Sequence, residues 1–135
     1  MTDWIPTNRA VKGSSELGPL QLAWLGDAVW ELHQRLRHCQ KPGRSKDLHV
    51  SVVSEVRAAA QAEALKNLEP NLSDIEKSLA RKGRNSAKRG PRGCNPATYG
   101  QATGFETMIG WLFLNNPVRL AQLLDRLEET DSQRP

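Results

Sequence analysis

The chain has 135 residues, 38% apolar and 25% charged, with a formal net charge of +4. That length allows one domain with a real core, and the composition is that of a folded, soluble protein rather than a disordered one. No apolar run reaches the roughly 18 residues of a membrane span, the opening MTDWIPTNRA lacks the order of a secretory signal, and the lone Cys39 and Cys94 point to free thiols in a reducing cytoplasm rather than to zinc.

Residues 1–16 read as an irregular lead that Trp4 and Ile5 can tack onto the body. Gly18-Pro19 then opens a helix ending near His38, before the stop signal Lys41-Pro42-Gly43. Leu20, Leu22, Trp24, Leu25, Val29, Trp30, Leu32 and Leu36 make it apolar on nearly every side. Such a helix is buried, either inside a domain or between subunits. Asp27 sits at its centre beside Gly26. A buried carboxylate is costly unless paired or bound to a metal. A mid-helix glycine costs about 1 kcal/mol against alanine, so Gly26 implies close approach by a neighbouring segment.

A second helix is predicted from Ser45 to Asn67, with Leu48, Val52, Val53, Val56, Ala60 and Ala64 on its inner face. Ala58, Ala59, Ala60 and Ala62 would let another helix near. Glu69-Pro70-Asn71 breaks it, and the capping box Ser73-Asp74-Ile75-Glu76 starts a third, predicted to reach about Lys82 with Ile75 and Leu79 facing inward. Residues 83–97 read as a basic loop. Asn95 caps a fourth helix, with Pro96 at its first position, continuing to Leu114. It too is largely apolar and carries one internal acid, Glu106, and glycines at 100, 104 and 110. Asn116-Pro117 opens a last helix with Val118, Leu120, Leu123, Leu124 and Leu127 on one stripe. The expected organisation is the lead 1–16, an all-α body 17–130 built as a bundle of about five main helices, and a polar tail 131–135.

The charge is unevenly placed. Residues 81–92, RKGRNSAKRGPR, hold six basic residues and no acid; without them the chain carries 13 basic and 15 acidic residues. The positive excess therefore sits in one short segment, which favours a local polyanion contact over general basicity. Its plainer reading is a solvated connector.

Asp27 and Glu106 occupy equivalent settings in the two most apolar helices, each near glycine. Each could simply pair with an arginine or cap a neighbouring backbone. Two such acids meeting across helices would instead make an oxygen-rich pocket suited to Mg²⁺, which takes one or two carboxylates and completes its shell with water and substrate phosphate. With a basic segment just before the Glu106 helix, this points to metal-assisted phosphodiester hydrolysis. Composition and spacing do not identify the nucleic acid.

LAWLGDAVWE (Leu22 to Glu31) resembles the signature helix of ribonuclease III endonuclease domains, and ATGFETMIGWLFL (Ala102 to Leu114) resembles the second acidic helix of that fold. Together with LHVSVVSEVRAAAQAEAL (Leu48 to Leu65) and KGRN (Lys82 to Asn85), in that order, they are similar to the Mini-ribonuclease III family, which consists of the catalytic domain without a double-stranded-RNA-binding domain. The resemblance covers about residues 17–127. It implies a cytoplasmic, helical homodimer that depends on Mg²⁺, with Mn²⁺ as a substitute, and cleaves double-stranded RNA to 5′-phosphate and 3′-hydroxyl ends. Its implied substrate is the 23S ribosomal RNA precursor.

The same resemblance makes Asp27 and Glu106 the catalytic residues and metal ligands. Two positions depart from full-length ribonuclease III: Ala23 and Thr103 stand where that enzyme has further acids, a reduction that Mini-ribonuclease III shares. Arg84, Lys88, Arg89 and Arg92 are the candidate RNA-binding residues, without the interleaved aromatics that would argue for single strands. Glu31, Gln61, Asn85 and Thr103 are candidate helpers, although Glu31 is set to pair with Arg35 one turn on. His33, His38 and His49 read as surface or cap residues, and Trp24, Trp30 and Trp111 as core or dimer packing. The alternative function is a catalytically silent RNA- or ribosome-binding module of the same fold; a helical protein-interaction adaptor would leave both buried acids unexplained.

Overall fold

The computed structural model describes residues 2–5, 17–39 and 54–132. Among these, every regular element is helical: α1 (Pro19–Cys39), α2 (Ser54–Leu68), a single 3-10 turn (Glu69–Asn71), α3 (Asp74–Ser86), α4 (Pro96–Asn115) and α5 (Pro117–Ser132). The all-α bundle of five main helices is therefore as expected. Residues 6–16, the segment 40–53 with the predicted Ser45 cap, Leu48, His49, Val52 and Val53, and residues 133–135 lie outside the described residues.

α4 is the axis, and α1, α2 and α3 all pack against it. Phe105, Met108, Ile109 and Leu112 are essentially inaccessible, and Leu120, Leu123, Leu124 and Leu127 of α5 close over the same core. Two glycine crossings set how near the helices come. A Cβ on Gly26 would strike the main chain of Glu106, and one on Gly110 the main chain of Leu22. On the other flank, a Cβ on Gly83 would strike Thr107, and one on Gly104 the carbonyl of Ala80. The close approach implied by Gly26 is thus made by α4. Thr107 adds a polar pin: its hydroxyl lies 3.0 Å from the carbonyl of Pro19 and 2.9 Å from that of Thr103.

Local sequence sets the helix starts. Ser73 Oγ accepts from Glu76 N, and Glu76 Oε1 accepts from Ser73 N, completing the capping box. Asn95 Oδ1 accepts from Ala97 N and Thr98 N at the head of α4. Glu76 also has a tertiary task. Its nearly buried carboxylate is gripped in a fork by Arg119 of α5, at 2.8 and 3.0 Å, and Arg119 donates further to the carbonyl of Asn71.

That grip corrects one expectation. Ile75 is 62% exposed, because Glu76, Leu79, Ala80 and Gly83 form the buried stripe of α3 and Arg119 draws Glu76 into it. α3 also runs on to Ser86, so Gly83, Arg84 and Asn85 are helical and the loop begins at Ala87. Gly83 reads as a helix breaker in sequence, yet it is the contact that admits α4. Ala60 faces out, the inner face of α2 being Ala58, Gln61, Ala64 and Leu68. Val118 is half exposed and lies off the α5 stripe. α5 extends through Ser132, past the expected start of the tail.

Trp4 and Ile5 do tack down: Ile5 joins the core, and Thr2 Oγ1 reaches the Asp125 carboxylate at 3.3 Å. Trp4 lies beside His33, which is buried rather than superficial. Its ring lies 6.2 Å from both Trp4 and Trp30, and Trp30 meets Phe105 edge-on at 5.0 Å. Burial, with the nearby Arg37 cation, pushes the His33 pKa down to about 4. Glu128 stands 3.4 Å from its Nε2 and 3.6 Å from Arg37.

Candidate active site

Asp27 lies on the flank of α1 next to the Gly26 crossing, and Glu106 lies on α4 where that crossing presses on its main chain. The two acids that the sequence singles out are thus brought together. The Glu106 pKa is pushed up to about 9, first by burial and then by the neighbouring Asp27 carboxylate, with which it shares a hydrogen bond. A second carboxylate beside a buried carboxyl disfavours its ionised form, which is the direction of the Glu106 shift.

α2 supplies what surrounds them. Arg57 Nη2 donates to Asp27 Oδ1 at 2.6 Å and stands 3.7 Å from Glu31 Oε2. One turn on, Gln61 Nε2 donates to Glu106 Oε2 at 3.4 Å, and its side chain is buried. Arg57 was not singled out in the sequence. A basic residue four before a glutamine, inside an alanine-rich stretch, is the signal that would have marked it. The arginine-pairing alternative therefore holds for Asp27 as far as geometry goes, and Gln61 is the expected helper that reaches an acid.

The other candidates are dispersed. Glu31 pairs with Arg35 at 2.7 Å, as its spacing implies. Thr103 is buried and donates to the carbonyl of Tyr99, a backbone role. Asn85 is exposed on α3 and makes no hydrogen bond to either acid among the described residues. Arg84 packs beside Gly100 and lines a groove of about 720 Å³ between α2, α3 and α4, together with Lys66, Lys77 and Arg81. Lys88, Arg89 and Arg92 lie exposed on the loop, which turns at Gly90 and Gly93, both with positive φ. Gly90 rests on the ring of Tyr99, where a Cβ would come within 2.7 Å.

Among the described residues, no cluster of three or more His, Cys, Asp or Glu side chains is arranged to hold a metal. The two carboxylates are nevertheless an all-oxygen donor pair suited to a hard cation. A buried carboxyl kept neutral beside a second carboxylate is also the situation a divalent cation relieves. The residues present fit such an ion.

The model for the Ribonuclease III domain matches residues 20–117. A Mini-ribonuclease 3 of Synechococcus sp. is 47% identical over 118 residues, covering 87% of this chain and 86% of that protein. Another, of Synechocystis sp., is 45% identical over 116 residues, covering 86% and 81%. A crystal structure of a Fusobacterium nucleatum protein superposes with a TM-score of 0.75 at 27% identity, over 90% of this chain and 99% of that one. With the signature segments around Asp27 and Glu106 both inside the matched region, the chain belongs to the Mini-ribonuclease III family and is built on a ribonuclease III domain.

Proposed function

We propose that this protein is a cytoplasmic, divalent-metal-dependent endoribonuclease that cleaves double-stranded RNA, leaving 5′-phosphate and 3′-hydroxyl ends, and that it matures the ends of the 23S ribosomal RNA precursor. Family membership supports the endoribonuclease activity. The observation that carries the chemistry is the adjoining Asp27–Glu106 pair, in which burial and the neighbouring carboxylate push the Glu106 pKa far above the ordinary carboxyl range.

Asp27 and Glu106 would hold Mg²⁺, or Mn²⁺ in its place. When bound, the ion supplies Lewis acidity at the phosphate and lowers the pKa of an attacking water. Gln61 steadies the Glu106 carboxyl by donating to Oε2. Glu106 must give up its proton before it can serve as a ligand. Gly26 and Gly110 keep the two acid-bearing helices in backbone contact, so the carboxyls meet without long side chains. Arg84, Lys88, Arg89 and Arg92 hold the duplex through its phosphates, a mode that suits recognition of double-stranded RNA by shape.

The exposed stripe Leu20, Trp24, Ala28 and Leu32 on α1 supports a homodimer. Trp24 is 83% exposed, a large apolar cost for a free surface. A two-fold dimer would set one site against each strand of a duplex.

The test is incubation with duplex RNA, with and without Mg²⁺, followed by end-group analysis of the products. Cleavage that needs the ion and leaves 5′-phosphates supports the reading. Binding without cleavage under every metal condition replaces it with the silent RNA-binding module.

A further inference from the structure

Asp27 is not an open ligand. Its Oδ1 already accepts from Arg57 Nη2 at 2.6 Å, and the same nitrogen stands 3.7 Å from Glu31 Oε2. The charges are paired: Arg57 against Asp27, and Arg35 against Glu31. An ion binding at Asp27 Oδ1 would sit about 2.1 Å from that oxygen. It would therefore stand within roughly 5 Å of Nη2, where a divalent and a monovalent cation repel strongly even at an effective dielectric of 20. Arg57 and a metal ion compete for one oxygen.

Arg57 is also placed to leave. Its side chain is 29% exposed and that of Asp27 is 39% exposed, so the bond spans the rim of the site and is not sealed beneath it. Gln61, one turn further along α2, keeps its hold on Glu106 whichever way Arg57 turns. A guanidinium released at such a rim is matched to a phosphate, which it can grip with two parallel N–H donors.

Resting on the metal-site reading above, we propose that Arg57 is a resident counter-ion at Asp27 that suppresses metal binding in the RNA-free protein and is handed to a duplex phosphate when the site is loaded. Arg57 is a positioning residue in this scheme. It makes metal and RNA occupancy mutually supportive, because each removes a partner that would otherwise oppose the other. The spare shell of two carboxylates is then an advantage: with Arg57 on Asp27, the site stays metal-poor until a substrate arrives.

The test uses the full chain and two binding measurements, neither of which reads cleavage. Calorimetric titration of MgCl2 into RNA-free protein compares wild type with Arg57→Gln, Arg57→Lys and Asp27→Asn. The expected result is about tenfold tighter binding in Arg57→Gln, little change in Arg57→Lys, which keeps the charge, and loss of binding in Asp27→Asn. Fluorescence anisotropy with duplex RNA in EDTA then compares Asp27→Asn with Asp27→Asn/Arg57→Gln. Freeing Arg57 from Asp27 should tighten duplex binding several-fold, and the double variant should lose that gain. Unchanged or weaker Mg²⁺ binding in Arg57→Gln overturns the proposal while leaving the metal site standing if Asp27→Asn still abolishes binding. An absence of Mg²⁺ binding in every variant overturns the metal-site reading and this proposal together. Circular dichroism confirms that each variant is folded, and Arg57→Met, which also removes the charge and should also bind Mg²⁺ about tenfold tighter, keeps the comparison decisive should Arg57→Gln not fold.

Discussion

Gly26 and Gly110 face each other across the α1–α4 crossing so closely that a Cβ on either would come within 2.9 to 3.1 Å of the other's amide nitrogen. The worst clashes of such a Cβ are with main chain, at Glu106 and Leu22, which cannot turn aside as a side chain would. Alanine would gain about 1 kcal/mol in helix propensity. Overpacking costs about 1–3 kcal/mol and more where the backbone must shift. Gly26→Ala and Gly110→Ala should therefore each destabilise by about 2 kcal/mol or more in denaturant titrations. A stabilised Gly26→Ala would mean that the helices are further apart than described.

Asp27→Asn and Glu106→Gln should each reduce cleavage by about a hundredfold to a thousandfold, the scale expected when a group that stabilises the transition state is lost. Both should leave the helical circular dichroism signal intact. Near-normal turnover by either variant would remove that residue from the chemistry.

The raised pKa of Glu106 has a stability consequence of definite sign. The folded protein keeps a proton that the unfolded chain releases above about pH 4.5, so the contribution of this group is fully present below that pH and is lost as pH rises through about 9. In EDTA, wild type should melt at a lower temperature at pH 9 than at pH 6, and Glu106→Gln should lack this component. At limiting Mg²⁺, cleavage should rise over the same interval, because the ion must displace that proton. A melting temperature that rises between pH 6 and 9 would contradict the assignment.

His33 carries the opposite sign. Its folded pKa near 4 lies below the ordinary histidine value of 6.5, so the unfolded chain binds the proton first. Stability is present above pH 6.5 and is lost as pH falls toward 4, by about 3 kcal/mol for this buried ring. Proton NMR should show a neutral imidazole at pH 5; a titration midpoint near 6.5 would place His33 in water. The same loss should loosen Trp4, whose ring lies beside that of His33.

Replacing Arg84, Lys88, Arg89 and Arg92 with glutamine should weaken duplex binding and flatten its dependence on salt, by about 0.7 to 0.9 in log–log slope for each phosphate that the variant no longer neutralises. An unchanged slope would reduce the segment to a connector. Trp24→Glu should shift the protein from dimer to monomer in sedimentation at micromolar concentration, since it sets a charge in the exposed apolar stripe of α1. A wild-type monomer would remove the seam.

The two acids were legible because each breaks a strong local pattern: a charged residue inside an apolar helix beside a glycine. The helix boundaries marked by Ser73, Asn95 and Asn116 were legible for the same reason, each being a local signal. Arg57 was not, because its meaning depends on how α2 is rotated against α1, and an alanine-rich helix leaves that phase open. His33 was within reach. It continues the Leu22, Gly26, Val29 spacing, and only its polarity argued for the surface. Ile75 shows the converse, an apolar residue displaced from the core because Arg119, 44 residues further along the chain, claims the neighbouring Glu76. Gly83 looked like a terminus because a glycine that breaks a helix and one that admits another helix are identical in sequence.

Asn95, where the basic loop becomes α4, gives the arrangement a fixed length. Its side chain locks the first turn of the helix that carries Glu106, and from Pro96 to Glu106 the helix advances ~15 Å. A helix does not stretch as a tether does. An RNA phosphate held at the loop would stand at one set span from the acids in every complex, so α4 would serve as a ruler. Shortening it by a full turn before Gly104 would move the cut along the duplex; lengthening the loop before Asn95 would only blur it.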